Sequence, residues 1–163
     1  MIGNNWFECK VAAEKQTDGG MNKVFKETYL VDALDCVGVE DRILKEVGPF
    51  CNGSLTITGI KTYKMAELFT SDNDNADKWY KAKINFIIAD EKTGKEKKTA
   101  VAMIIQAFDF EDAFKRLKEG MRGTMMDYQI AAIQETTIMD VFPFSADDIP
   151  EKENNVATED SAE

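Results

Sequence analysis

The 163-residue sequence contains no histidine, and this absence removes the most common general base and the most common zinc ligand. It also excludes every Ser-His and Cys-His nucleophile pair. Two phosphate-binding patterns, GxxxxGK[ST] and GxGxxG, are missing as well. Because no recognisable catalytic centre is left, we expect a protein that is not an enzyme, with no cofactor and no metal.

Cysteine is also scarce, and long apolar runs are missing. Cys9, Cys36 and Cys51 are an odd number of cysteines without CxxC spacing, which is typical of reduced thiols in a cytoplasm. No apolar run is long enough to cross a membrane, and the N-terminus shows no basic segment followed by an apolar one. We therefore expect a cytoplasmic protein that does not contact a membrane.

Acidic residues are in excess, but they are unevenly distributed. The net charge is -10, of which the segment 145–163 carries -6, with seven acids and one lysine. Residues 1–144 hold 23 acids and 19 bases and carry only -4. The composition of 145–163 predicts a disordered acidic tail. The tail either makes the protein soluble or contacts a protein partner, and its stretch 147–150 is similar to the ends of acidic tails on single-strand-binding proteins.

The rest of the chain reads as one strand-strand-helix-strand unit used twice. The first unit is predicted to have strands at 6–13, 24–31 and 54–64, with a helix capped by Asp35 that runs to about residue 47. The second is predicted to have strands at 79–89, 97–106 and 128–138, with a helix capped by Asp109 that covers 110 to about 119, its Ala113, Phe114 and Leu117 facing inward.

The spacing of the two units indicates an internal duplication. Trp6-Phe7 corresponds to Trp79-Tyr80 at an offset of 73 residues, and the segment 31–35 corresponds to 105–109 at an offset of 74. Chance similarity between two amphipathic units is the alternative. The prediction is an α+β fold with about six strands, two helices and pseudo-twofold symmetry.

The predicted units are 1–70 and 71–144, packed as one globular domain, with the disordered acidic tail at 145–163. One unit is too small to bury a good core alone. The two units either bury their apolar faces against each other or join edges into one sheet with both helices on one side.

Three motifs resemble an uncharacterised family of gut Bacteroidetes and their phages. They are Trp6–Lys10 (WFECK), Tyr29–Leu34 (YLVDAL) and Glu135–Phe142 (ETTIMDVF), and the resemblance covers about residues 5–142. It implies a bacterial or phage cytoplasmic setting and brings no known activity.

The most informative candidate site lies on the polar face of the first strand of each unit. Each strand places a tryptophan beside lysines, and sheets that bind single-stranded nucleic acid combine stacking aromatics with lysines that follow phosphates. The candidate nucleic-acid-binding residues are Trp6, Lys10, Lys61, Lys64, Trp79, Lys81, Lys83, Asn85 and Lys97.

Other interpretations of these residues remain open at this point. If the helices cover the sheet face that carries the two tryptophans, both rings are core residues, because Trp is usually largely buried. If the rings are exposed, they are equally suited to a protein interface. The acidic loop with Asp72, Asp74 and Asp77 has a spacing similar to a calcium loop, but it lacks the turn glycine and the distal Glu.

The leading hypothesis is a non-enzymatic protein that binds single-stranded DNA in phage or mobile-element replication. The alternative is a protein-protein interaction module, an adaptor or an inhibitor that mimics DNA, without nucleic-acid binding. Net acidity opposes the first hypothesis, since sequence-independent binding depends on phosphate neutralisation. A strand edge left open in the sheet would support a dimer.

Overall fold

The computed structural model describes residues 5–145, and these residues form eight strands and two α-helices. The predicted tail beyond Ser145 lies outside the described residues. The first half contains, in chain order, β1 (Trp6–Gln16), β2 (Asn22–Asp32), α1 (Cys36–Glu46), a short 3-10 helix (Gly48–Phe50), β3 (Leu55–Thr62) and β4 (Glu67–Phe69). The second contains β5 (Lys78–Ala89), β6 (Glu96–Ala107), α2 (Phe110–Gly120), β7 (Asp127–Glu135) and β8 (Ile138–Phe142).

The strands form two four-stranded sheets with the same pattern. The order is β3-β1-β2-β8 in the first sheet and β7-β5-β6-β4 in the second. The first long strand of each sheet, β1 or β5, pairs antiparallel with both of its neighbours. A short strand, β8 or β4, pairs parallel at one edge. The α+β class is therefore confirmed, whereas the predicted number of about six strands is too low.

The two additional strands are exchanged between the sheets. β4 follows the first sheet along the chain but pairs with β6 of the second, and β8 follows the second sheet but pairs with β2 of the first. A prediction from local pattern misses them because β4 has only three residues and β8 only five. Their pairing depends on a partner strand that is distant in sequence, and a single continuous sheet of six strands is not formed.

Each helix begins where the sequence predicts. The Asp35 side chain accepts a hydrogen bond from the Gly38 N–H at 2.9 Å, and that of Asp109 accepts one from the Asp112 N–H at 2.7 Å. These contacts satisfy N–H groups that have no partner within the helix. Both helix predictions are thus confirmed within one or two residues.

Each helix covers one face of one sheet. α1 packs Val39 and Ile43 onto the face of β1 and β2 that carries Phe7, Cys9 and Val31. α2 packs Ala113 and Leu117 onto the face of β5 and β6 that carries Tyr80, Ala82 and Ile105. The prediction that Phe114 faces inward is wrong: it is 41% exposed, because the helical phase centred on Ala113 and Leu117 leaves it at the side of the helix.

The uncovered faces of the two sheets meet in a third apolar cluster. Its buried members are Leu30, Trp79, Ile104 and Val141. They come from β2 and β8 of one sheet and from β5 and β6 of the other, so the cluster joins the two sheets. We call it the inter-sheet cluster. Among the described residues, no helix is both long enough and apolar enough to cross a membrane.

Asp32, at the end of β2, is the most unusual polar residue of this fold. It is only 7% exposed, and its Oδ1 has no hydrogen-bond partner within residues 5–145. Burial raises the pKa of the Asp32 carboxyl, while the nearby backbone of Asn5 and Phe144 acts in the opposite direction. The corresponding end of β6 carries the neutral Gln106, which accepts from the Ser71 N–H and donates to the Ala76 carbonyl.

We predict that Asp32→Asn stabilises the protein at pH 7 by about 1 kcal/mol, the cost of one poorly satisfied buried charge. A carboxyl whose pKa is raised in the folded state favours folding when it is protonated, and this contribution is lost as the pH rises through the folded pKa. The gain from Asp32→Asn should therefore shrink as the pH falls towards 3.8, the ordinary Asp value. Urea unfolding from pH 3.5 to 7 measures it, with Asp41→Asn on exposed α1 as the control. A gain that does not depend on pH would contradict this assignment.

Candidate functional site

The two tryptophans lie on the sheet faces that the helices leave uncovered, but their environments differ. Trp79 is 5% exposed and forms part of the inter-sheet cluster. Trp6 is only half-buried and packs against the edge of that cluster. The core interpretation therefore holds for Trp79, although the residue is buried between the sheets and not beneath a helix. Trp6 keeps part of its ring accessible.

A groove of about 910 Å³ opens beside Trp6. One wall is formed by residues 5–7 and by the connection 62–66, which leads from β3 to β4. The floor is formed by Lys81 and Lys83 of β5 and by residues 100–102 of β6. We call this the lysine groove. Its volume lies within the range of about 300–1,000 Å³ that is usual for ligand sites.

Small side chains create the floor. Lys83 lies opposite Ala102 on β6 and opposite Ala132 on β7, so only methyl groups flank the base of its side chain. Because directly paired residues point to the same face of a sheet, Ala100 and Ala102 leave open space beside the lysines. In the other sheet Lys26 and Thr28 occupy the β2 positions that Ala100 and Ala102 occupy on β6, and the space there is smaller.

Among residues 5–145, the charge that lines the lysine groove is positive. The charged lining residues of this part of the chain are Lys64, Lys81 and Lys83, and none is an acid. Within residues 5–145, none of the three lysines has a carboxylate within ion-pair distance. In a chain with a net charge of -10, this concentration of unpaired cations favours an anionic ligand.

Tyr63 provides the aromatic surface of the groove. Its backbone N–H donates to the Trp6 carbonyl at 2.8 Å, which continues the β1–β3 pairing and places the two side chains on the same face. The Lys81 ammonium lies 5.7 Å from the centre of the Tyr63 ring, within cation–π distance. Burial, and secondarily the charge of Glu8, raises the pKa of the Tyr63 hydroxyl, so the hydroxyl stays protonated.

Two of the other predicted lysines lie on the first sheet, outside the lining of the groove, and are partly neutralised. Glu8 lies 3.4 Å from the Lys61 ammonium and 3.9 Å from that of Lys10. Such exposed pairs contribute about 0 to 1 kcal/mol, so a ligand can still compete for both lysines. Lys10 also lines a smaller cavity of about 430 Å³ with Lys26 and Thr28.

The remaining predicted residues lie further away along the second sheet. Asn85 follows Lys83 on the same face of β5 and extends the groove towards the 90–95 turn. Lys97 lies on the same face of β6 as Met103 and Ile105, which is the face that α2 covers. The structure therefore does not bring Lys97 to the groove. Its neighbour Lys98 lies on the same face of β6 as the groove, opposite Ile87 of β5.

Sequence reasoning missed Tyr63, Ala100 and Ala102. The alternation of β3, continued past Thr62, is a signal that places Tyr63 in register with Trp6. No local signal identifies the alanines as a groove floor, because that role depends on the connection 62–66, which is fixed to the edge of β6 and is distant in sequence. Among the described residues, no group of three or more acids, cysteines or histidines is arranged to hold a metal ion, and this includes the loop with Asp72, Asp74 and Asp77.

Comparison with known proteins gives a family but no activity. No curated protein matches the chain. A family model described as a domain of unknown function, DUF4494, matches residues 5–144, which include both sheets, both helices and every residue of the lysine groove. The resemblance to an uncharacterised family is thereby confirmed. The chain belongs to the DUF4494 family of domains of unknown function.

Proposed function

We propose that this protein binds single-stranded nucleic acid, with DNA as the expected form, in the lysine groove and acts without catalysis. The observation that carries the proposal is the combination, in one groove, of two aromatic side chains with three lysines that have no acid beside them among the described residues. Bases of any sequence can stack on aromatic rings, at about 1 to 3 kcal/mol per base, and lysines supply the phosphate contacts.

The spacing of the lysines suits an extended strand. Lys81 and Lys83 are two residues apart on β5 and so lie roughly 6.6 to 6.8 Å apart along the strand axis. Their ammonium groups can follow adjacent phosphates while Tyr63 and Trp6 meet a base. Trp79 supports this arrangement from behind, because its burial fixes the end of β5 from which Lys81 projects.

We predict that the salt dependence of the binding constant reports how many of these lysines contact phosphates. Each phosphate contact on a single strand contributes about -0.7 to the slope of log K against log salt, so three lysines give a slope of about -2. Lys81→Gln combined with Lys83→Gln should reduce the slope to about -0.7 and weaken binding at low salt. Fluorescence anisotropy with a labelled oligonucleotide measures both quantities.

Lys115→Gln is the matched control for this experiment. Lys115 is exposed on α2, on the other side of the second sheet, and its loss should leave the slope near -2. Equal effects of the groove pair and the control would indicate general electrostatic attraction, and absence of saturable binding at low salt would contradict the proposed function.

A specific observation favours a second candidate function, a protein-protein interaction module. Phe108, Phe110 and Phe114 are all exposed at the start and on the side of α2. Exposed aromatic groups are common in protein interfaces. This surface and the lysine groove lie on opposite sides of the second sheet, because α2 covers the face that the groove does not use.

We predict that, if this surface makes a homodimer, the full chain sediments as a dimer and Phe108→Ser with Phe114→Ser converts it to a monomer. Removing two exposed phenylalanines takes apolar area from such an interface without opening a core cavity. Sedimentation velocity over a range of concentrations measures this. Val37→Ser with Leu44→Ser, exposed on α1, is the control. A monomer at every concentration would contradict this role in self-association.

We also propose that the two halves arose by duplication of one strand-strand-helix-strand unit. The equivalent strand order, the reciprocal parallel strands and the caps Asp35 and Asp109 support this proposal. The proposed setting, replication of phages or mobile elements in a bacterial cytoplasm, rests on the family resemblance alone. We propose that in that setting the acidic segment after residue 145 contacts a protein partner.

A further inference from the structure

The lysine groove is closed at its inner end. Moving inward along the same face, Lys81 is followed by Trp79 and Ala102 by Ile104. Trp79 is 5% exposed and Ile104 is fully buried, since both belong to the inter-sheet cluster. A ligand strand that follows the floor inward therefore meets a packed apolar wall after Lys81.

The side of the groove towards β4 is closed as well. The Ala66 N–H donates to the Ala102 carbonyl at 2.8 Å, and β4 then pairs with β6. The connection 62–66 is therefore fixed to the edge of the floor, and its Tyr63 and Met65 pack against the inter-sheet cluster. The two closed sides meet in a corner beside Tyr63.

The other two sides are open. Towards β7 the groove is bordered by Ala132 and Gln134, which are exposed. Towards the 90–95 turn the same face continues to Asn85 and the exposed Lys98. Both open sides leave room for a ligand strand to leave the corner.

The electrostatics distinguish the corner from the open sides. Glu8 follows Trp6 on the same face of β1, and its charge acts on the Tyr63 hydroxyl. Beyond Trp6 on the first sheet, Glu8 lies within ion-pair distance of Lys61 and Lys10, so phosphates that continued there would meet lysines that are already partly neutralised. In contrast, Lys98 continues the positive charge along the open side. Packing therefore directs a polyanion outward from the corner, and the unpaired lysines of the second sheet continue in that direction.

From this geometry we infer that the lysine groove binds the free end of a single strand rather than its middle. The terminal nucleotide occupies the corner, with its base against Tyr63 and the accessible part of Trp6. The following phosphates pass Lys81 and Lys83 and leave on an open side. This inference rests on the proposed function and specifies its ligand. A strand without an end has to turn back within the corner, so fewer of its groups contact the groove.

A comparison of linear and circular oligonucleotides with the same length and sequence tests this inference on the unmodified full chain. In competition against a labelled linear strand, the circle should bind more weakly by roughly tenfold or more, the size of one lost stacking contact. Linear strands with a phosphate on the 5′ or on the 3′ terminus should then differ, which identifies the end that enters the corner.

The outcomes separate this inference from the proposed function. Equal affinity for circle and linear strand overturns end binding and leaves single-strand binding in place, whereas binding of neither overturns the proposed function itself. A free mononucleotide that binds as tightly as the linear strand also overturns the inference, because the ligand is then a small molecule.

A variant provides an independent readout. Tyr63→Ser removes the ring that lies beside the corner but leaves the lysines in place. It should bring the affinity for the linear strand down to that for the circle, while Lys115→Gln keeps the difference. A difference between linear and circular strands that persists unchanged in Tyr63→Ser would overturn the placement of the terminal base.

Discussion

The packing of Leu30, Trp79, Ile104 and Val141 between the two sheets is the interaction on which the rest of the structure depends. Each sheet has one face covered by its own helix, so without this cluster the second face of both sheets would be exposed to water. Burial of one large aliphatic side chain contributes about 1.5 to 3 kcal/mol. The exchanged strands strengthen the same contact, because β4 and β8 each extend from one sheet to pair with the other and bring Leu68 and Val141 to the cluster.

The cluster also explains why the two halves differ in what they can bind. It covers one end of each uncovered face and leaves the remainder open. On the second sheet that remainder carries Lys81 and, between two alanines, Lys83, whereas on the first sheet Glu8 occupies the β1 position that matches Lys81 on β5. Two sheets with the same strand order thus present one strongly cationic groove and one surface of mixed charge. The location of the lysine groove on the second sheet follows from these few differences.

Local signals predicted the local structure well. Asp35 and Asp109 identify the helix starts, and alternation in β5 separates Tyr80, Ala82 and Ile84 from Trp79, Lys81 and Lys83, as the structure places them. The same signals do not reveal what covers a face. Trp6 and Trp79 have equivalent positions in the sequence pattern, yet only Trp79 is fully buried, because its surroundings come from distant strands. Tyr63 and the alanine floor acquire their roles only when the connection 62–66 is fixed to the edge of β6, and Lys97 is excluded because it lies on the other face of that strand.

The most direct test of this account uses the fact that the chain has only two tryptophans. Trp6→Phe leaves Trp79 as the only fluorophore, and Trp79→Phe leaves Trp6. The account predicts that the emission of Trp79 is blue-shifted and poorly quenched by iodide, and that a single-stranded oligonucleotide does not change it. The emission of Trp6 should be accessible to iodide and quenched saturably by the oligonucleotide. Equal accessibility of both rings would contradict the inter-sheet cluster, and an unresponsive Trp6 would contradict the lysine groove as the binding site.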